Sequence, residues 1–139
     1  MREILFRGKR TIAGNWCEGF LVKTGDHFRI STRDDLISFG VYTETVGQYT
    51  GLTDKNGKRI FEGDIVKLTD EITGFETFAF VEFGNPNGQY NWGFQLVPME
   101  KKPFAVEILL WVEMEETGAF IEVVGNIHDN PELLKGEKT

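Results

Sequence analysis

Short runs of strand-forming residues, broken at close intervals by turn residues, constrain this chain more than any other feature. No stretch carries the 3.6-residue period of a long helix. The strand-type runs are Glu3–Arg7, Gly19–Lys23, Phe28–Ser31, Val41–Tyr49, Asp64–Thr69, Thr77–Phe83, Tyr90–Val97, Phe104–Glu113 and Ala119–Gly125. Twelve phenylalanines and sixteen glycines suit such a plan, since Phe favours strands and Gly supplies turns. The expectation is a mainly β, β-rich α+β fold: a barrel or sandwich with one or two short helices.

The turns have their own chemistry. Asn56-Gly57, within Asp54-Lys55-Asn56-Gly57-Lys58, predicts a hairpin with a type I′ turn, because both residues tolerate positive φ. Thr24-Gly25-Asp26, Asn85-Pro86-Asn87-Gly88 and Glu115-Glu116-Thr117-Gly118 read as further reversals. Asn130 to Gly136 reads as a short helical turn, with Asn130 capping, Pro131 opening it and Gly136 stopping it. Thr32 to Ile37 is a second short-helix candidate.

Alternation assigns the faces. Tyr90, Trp92, Phe94 and Leu96 share one side of their run, as a half-buried strand requires. From Phe75 to Phe83 both sides are apolar: Phe75, Ala79, Val81 and Phe83 on one, Phe78 and Phe80 on the other. Phe104 to Val112 behaves likewise. A strand apolar on both sides calls for two covers. In so small a chain the second cover is a folded-over segment or another subunit, so a homo-oligomer is expected.

With 139 residues, the chain has room for a single domain of residues 1–139. It divides, if at all, into subdomains 1–47 and 48–136, with 137–139 a frayed tail. Cys17 stands alone, so no internal disulfide forms and a reducing compartment is the natural setting. The first residues lack the apolar core of a signal peptide, and no apolar run approaches the roughly 20 residues of a membrane span. A cytoplasmic protein without membrane contact is expected. Fifteen Lys and Arg against 22 Asp and Glu give a net charge of −7. That balance disfavours a general grip on nucleic acid, which needs an excess of cations against phosphate.

Catalytic chemistry is hard to assemble from these residues. His27 and His128 have no metal-type partners nearby, and Cys17 has no basic neighbour in sequence, so neither a metal site nor a catalytic thiol is expected. Gly84-Asn85-Pro86-Asn87-Gly88 lacks the Gly-Lys-Ser/Thr of a phosphate loop, and no Gly-x-Ser-x-Gly elbow occurs. Asp34-Asp35 and Glu113, Glu115 and Glu116 read as solvated surface. Glu62-Gly63-Asp64 reads as a turn whose aspartate bonds nearby backbone N–H groups. No cofactor is expected. Tyr90 and Trp92 form the one candidate ligand face, as aromatics on which bases can stack. Local cations near them would have to come from Arg7, Lys9, Arg10, Lys55, Lys58, Arg59, Lys101 or Lys102.

One segment is specific. Gln48-Tyr49-Thr50-Gly51-Leu52-Thr53-Asp54-Lys55-Asn56-Gly57-Lys58-Arg59-Ile60-Phe61-Glu62-Gly63-Asp64-Ile65-Val66 closely resembles the hallmark of the YopX family, small proteins of phages and prophages. The opening Arg2 to Arg7 and the ending Val123 to Leu134, with Gly125, Asn126 and Pro131, resemble the family's two ends. The resemblance implies a β-rich fold with a small SH3-like barrel-type core around Glu62-Gly63-Asp64, and it brings no catalytic residues. Physically the hallmark reads as a folding device. Tyr49 and Leu52 anchor a strand end, Asn56-Gly57 reverses the chain, Ile60 and Phe61 return to the core, and Gly63-Asp64 launches the next strand.

The expectation is therefore a non-enzymatic accessory protein of a phage or prophage, binding a protein partner and self-associating. The alternative is a nucleic-acid-binding barrel module.

Overall fold

The computed structural model describes residues 4–32, 37–72, 74–84, 93–98, 106–107 and 118–135. The chain divides into two compact units, Met1–Gly51 and Leu52–Thr139. Most of the described structure is antiparallel strand.

The first unit holds β1 (Phe6–Lys9), β2 (Trp16–Thr24), β3 (His27–Ser31), β4 (Ser38–Val41) and most of β5 (Gly47–Thr53). Their order across the sheet is β4-β3-β2-β1-β5. The hairpin at Gly25, where φ is +62°, sets the β2–β3 register of Val22 opposite Arg29 and Leu21 opposite Ile30. One face buries Ile30 and Val41, and two glycines let its strands close up. A Cβ on Gly8 would lie 2.9 Å from Val41, and one on Gly19 would run into the Ser31 carbonyl. The sheet curls until Val41 meets Arg10 in a single bridge, reinforced by Tyr42 N–H to Lys9 O and Thr11 N–H to Gly40 O.

The predicted single strand Val41–Tyr49 is broken by a 3-10 turn at Thr43–Thr45. Buried Thr45 drives the break: its Oγ1 donates to Tyr42 O at 2.6 Å and accepts Lys9 N–H at 2.9 Å. A hydroxyl that bonds its own backbone competes with the strand ladder.

The second unit holds β6 (Arg59–Phe61), β7 (Asp64–Asp70), β8 (Phe75–Gly84), β9 (Gly93–Pro98), β10 (Val106–Glu107) and β11 (Ala119–Asn126). Its five-stranded sheet runs β10-β9-β8-β7-β11, and β6 follows the end of β5 in the other sheet order. Ile60, Val66, Leu68, Ala79, Val81, Leu96 and Ile121 form its core, with Leu52 and Val123 packed against them. On β8 the alternation holds only at the centre: Ala79 and Val81 face the core, Phe75 and Phe83 of the same parity are 41% and 52% exposed towards the strand's ends, and Phe78 on the opposite side is 38% exposed. The second apolar side of β8 is thus partly open.

The fold is mainly β, as expected, but neither sheet closes into a barrel among the described residues. The first curls only to one bridge, because the turn at Thr43–Thr45 interrupts the chain where a continuous ladder would have to run. The helical turn expected at Asn130–Gly136 is a 3-10 turn, Pro131–Lys135. Most of the Thr32–Ile37 candidate, the Asn85–Gly88 turn, and most of the Phe104–Glu113 run lie outside the described residues. No described helix is long and apolar enough to cross a membrane.

Candidate functional site

The hallmark residues assemble around buried carboxylates. Gly57 N–H bonds Asp54 O at 2.9 Å and Asp54 N–H bonds Lys58 O at 2.8 Å. Gly57 alone in this loop has positive φ, +82°. This is a type I turn followed by a left-handed glycine, closing a three-residue hairpin loop instead of the predicted type I′ turn. The reason is the Asp54 side chain. Its Oδ1 accepts Asn56 N–H and Lys58 N–H, both at 2.9 Å, and holds the longer loop. Its Oδ2 accepts Val123 N–H of β11, also at 2.9 Å. Lys55 N–H bonds Ile121 O beside it. Burial alone would push the Asp54 carboxyl up; the three N–H donors, Val123 first, and the nearby Lys58 charge outweigh it and hold the group below its ordinary value.

Glu62-Gly63-Asp64 forms the corner between β6 and β7. Gly63 adopts φ +94°, its N–H bonds Val81 O at 2.8 Å, and its carbonyl accepts Ile127 N–H at 2.9 Å. Buried Asp64 accepts Phe61 N–H at 2.8 Å, the local role foreseen for it. Tyr49, Thr50, Ile60 and Val66 are buried in their own units. At the C-terminal end, Asn126 Oδ1 accepts His128 and Asp129 N–H, and Asn130 Oδ1 accepts Asn126 N–H at 3.2 Å. Gly125 leaves room for Asn130, whose Oδ1 lies 2.5 Å from the place of a Cβ. Pro131 opens the final turn. The Asp54–Val123 link joins residues 69 apart, and no local pattern announces it.

Among the described residues, no group of His, Cys, Asp and Glu could hold a metal ion. The Cys17 thiol donates to Gly8 O at 3.7 Å, and burial pushes its pKa up. Arg10 opposes that shift from across the hairpin, a neighbour invisible in local sequence. Tyr90 and Trp92, the candidate ligand face, lie outside the described residues, as do Lys101 and Lys102. Of the other cations, Lys55 lies 3.8 Å from Glu122. Arg7 and Lys9 approach the Trp16 ring at 4.7 and 5.9 Å, and Arg10 stacks on Phe39 at 3.9 Å.

The outer face of the first unit's sheet was not singled out by sequence reasoning. Phe20 and Val22 project from β2 at 51% and 43% exposure, opposite Ser31 and Arg29 of β3. Their parity is opposite to that of buried Gly19, and this alternation was the signal available in the sequence. Arg29 is pinned: its Nε donates to Ser38 Oγ and its Nη2 to Ser38 O, both at 2.8 Å.

Charge divides between the units. Met1–Gly51 carries seven Lys and Arg against six Asp and Glu; Leu52–Thr139 carries eight against sixteen.

These features define a two-unit antiparallel β protein whose signature polar groups are turned onto its own backbone. The family model described as YopX protein matches residues 11–135, and the chain belongs to that family. The crystal structure of protein EF1440 from Enterococcus faecalis is similar in fold. It has a TM-score of 0.52 and 22% identity, over 96% of this chain and 99% of that one. Comparison with curated proteins finds no match.

Proposed function

We propose that the protein is a non-enzymatic accessory module of a phage or prophage that binds a protein partner through the outer face of its first sheet. One observation carries this reading. Phe20 and Val22 stand side by side in solvent on a strand whose opposite face already holds the core, with Ile30 fully buried there. Contiguous exposed apolar surface, unlike apolar residues scattered singly, marks an interaction site. The hallmark carboxylates support a non-enzymatic role, since Asp54 and Asp64 accept backbone N–H groups. The phage setting rests on family membership, and a cytoplasmic location on the lone Cys17. A small SH3-like core around Glu62-Gly63-Asp64 belongs to the proposal through the corner that launches β7. Self-association belongs to it through the half-open side of β8 around Phe78.

The test compares wild type with a Phe20→Ser/Val22→Ser double variant in pull-downs from lysogenic cells. Wild type should retain a partner that the folded double variant loses. The same proteins recovered by both would refute the reading. Light scattering at high micromolar concentration tests self-association, which a clean monomer would remove.

Lys9 against Trp16 favours a second reading, single-stranded nucleic acid along the same unit. No salt-dependent shift of labelled oligonucleotides at low salt would end it.

A further inference from the structure

Gly40 lies opposite Arg29 in the β3–β4 ladder, on the face that carries Val22 and Phe20. A Cβ placed on Gly40 would have Thr11 Oγ1 at 3.4 Å and Arg29 Nη1 at 3.7 Å. No other heavy atom of the described residues, outside its chain neighbours, comes within 4 Å of that point. The absent side chain leaves a notch bordered by a hydroxyl and a guanidinium nitrogen. The two bonds to Ser38 fix the guanidinium before any ligand arrives, which lowers the ordering cost of binding. They engage Nε and Nη2, and Nη1, with no bond among the described residues, lies at the notch. Among the described residues Thr11 Oγ1 makes only a long 3.5 Å bond, to Gly40 O, so its hydroxyl can turn to an incoming acceptor.

We infer that this notch is the carboxylate pocket of the recognition face. The partner segment it fits is extended and acidic: an Asp or Glu on Arg29 and Thr11, with neighbouring apolar side chains laid across Val22 and Phe20. The inference rests on the protein-binding reading above and names that partner's chemistry. A guanidinium–carboxylate contact is a charge-assisted bond, strong enough to fix register where the apolar row supplies area. Phosphate fits less well. A nucleic-acid strand needs cations repeated along its path, whereas on this face the rows beside Arg29 carry Val22 and Phe20, Arg7 is buried, and Lys9 lies over the Trp16 ring.

The experiment pans a displayed library of random peptides against the whole chain. Enriched sequences are then resynthesised with Gln or Asn for each acid and measured by fluorescence anisotropy. Gly40→Ala is the main variant: its Cβ meets both neighbours at ordinary contact distance, so the sheet stays intact while a methyl fills the notch. Arg29→Gln is the second, and Phe20→Ser/Val22→Ser the control for the face.

The expected result is acidic-apolar enrichment, with affinity falling about tenfold or more on acid-to-amide exchange, in Gly40→Ala and in Arg29→Gln. Peptides sensitive to the Phe20/Val22 change but indifferent to Gly40→Ala and to amide exchange would overturn the carboxylate pocket and leave the protein-binding face standing. No enrichment, or a thymidine oligonucleotide binding more tightly than every peptide, would overturn both.

Discussion

The Oδ2 atom of Asp54 accepts the Val123 N–H at 2.9 Å, so the loop of the hallmark hairpin is bound to the last strand. Its Oδ1 atom meanwhile holds the loop shape through Asn56 and Lys58. One carboxylate thus fixes a turn and a tertiary contact together. It also occupies an outward N–H of β11, a strand that ends the sheet order and would otherwise offer an unpaired edge.

Removing that carboxylate leaves three backbone donors without their acceptor. Asp54→Ala should lower the stability of the second unit by about 3 kcal/mol, given roughly 1.5–3 kcal/mol for each bond to a charged group and partial rescue by water. Asp54→Asn should recover part of the loss, because its one carbonyl oxygen can serve either the loop or Val123 but not both. Urea unfolding followed by amide exchange in β7 and β11 gives both values. An alanine variant as stable as wild type would dissolve the role assigned to the residue.

The pH dependence follows in sign. The folded carboxyl is held below its ordinary value, so the unfolded chain binds a proton more readily. The stabilisation is complete above the unfolded pKa of about 3.9 and is lost as pH falls from there through the folded value. Urea midpoints of wild type should therefore drop more steeply below about pH 4 than those of Asp54→Ala. Parallel curves would show that other carboxylates carry the acid response.

Why the hairpin was legible and its anchor was not comes down to range. Asn56-Gly57 announces a reversal locally, but the Asp54 side chain selects the three-residue loop, and its second oxygen answers a strand 69 residues away. The alternation of β8 placed Ala79 and Val81 together, and both are in the core. The same habit joined Val41 to Tyr49, because no period marks the one hydroxyl, Thr45, that breaks the run. The Gly40 notch depends on β4 meeting the residues just after β1 at the Arg10–Val41 bridge, a product of sheet curl that sequence spacing does not encode.

Two glycines separate the demands of space and of φ. Gly57 has open space around its missing Cβ but φ +82°, so Gly57→Ala should cost about 1 kcal/mol and Gly57→Asn less. Gly19 has ordinary φ, yet its Cβ would run into the Ser31 carbonyl oxygen. Backbone cannot yield as a side-chain tip does, so Gly19→Ala should cost about 3 kcal/mol or more. Hydrogen exchange in β2 and β3 should report the second loss and remain unchanged in Gly57→Ala. An equal, small effect at both positions would contradict the close approach of β2 to β3.

Gly125 tests the C-terminal block on the same logic with a softer neighbour. Its Cβ would lie 2.5 Å from Asn130 Oδ1 and 2.9 Å from Cγ, so a methyl there must displace the Asn130 amide. That amide accepts Asn126 N–H, while Asn126 O accepts Asn130 N–H at 2.9 Å, so the displacement strains a reciprocal pair. Gly125→Ala should cost about 1–2 kcal/mol, the scale of a lost hydrogen bond plus modest overcrowding. Asn130→Ala removes the same bond without the clash, at about 1 kcal/mol. In the double variant the clash has no counterpart left, so its loss should fall short of the sum of the two single losses. Strict additivity in urea melts would mean that Gly125 is needed for its backbone alone and not to seat Asn130.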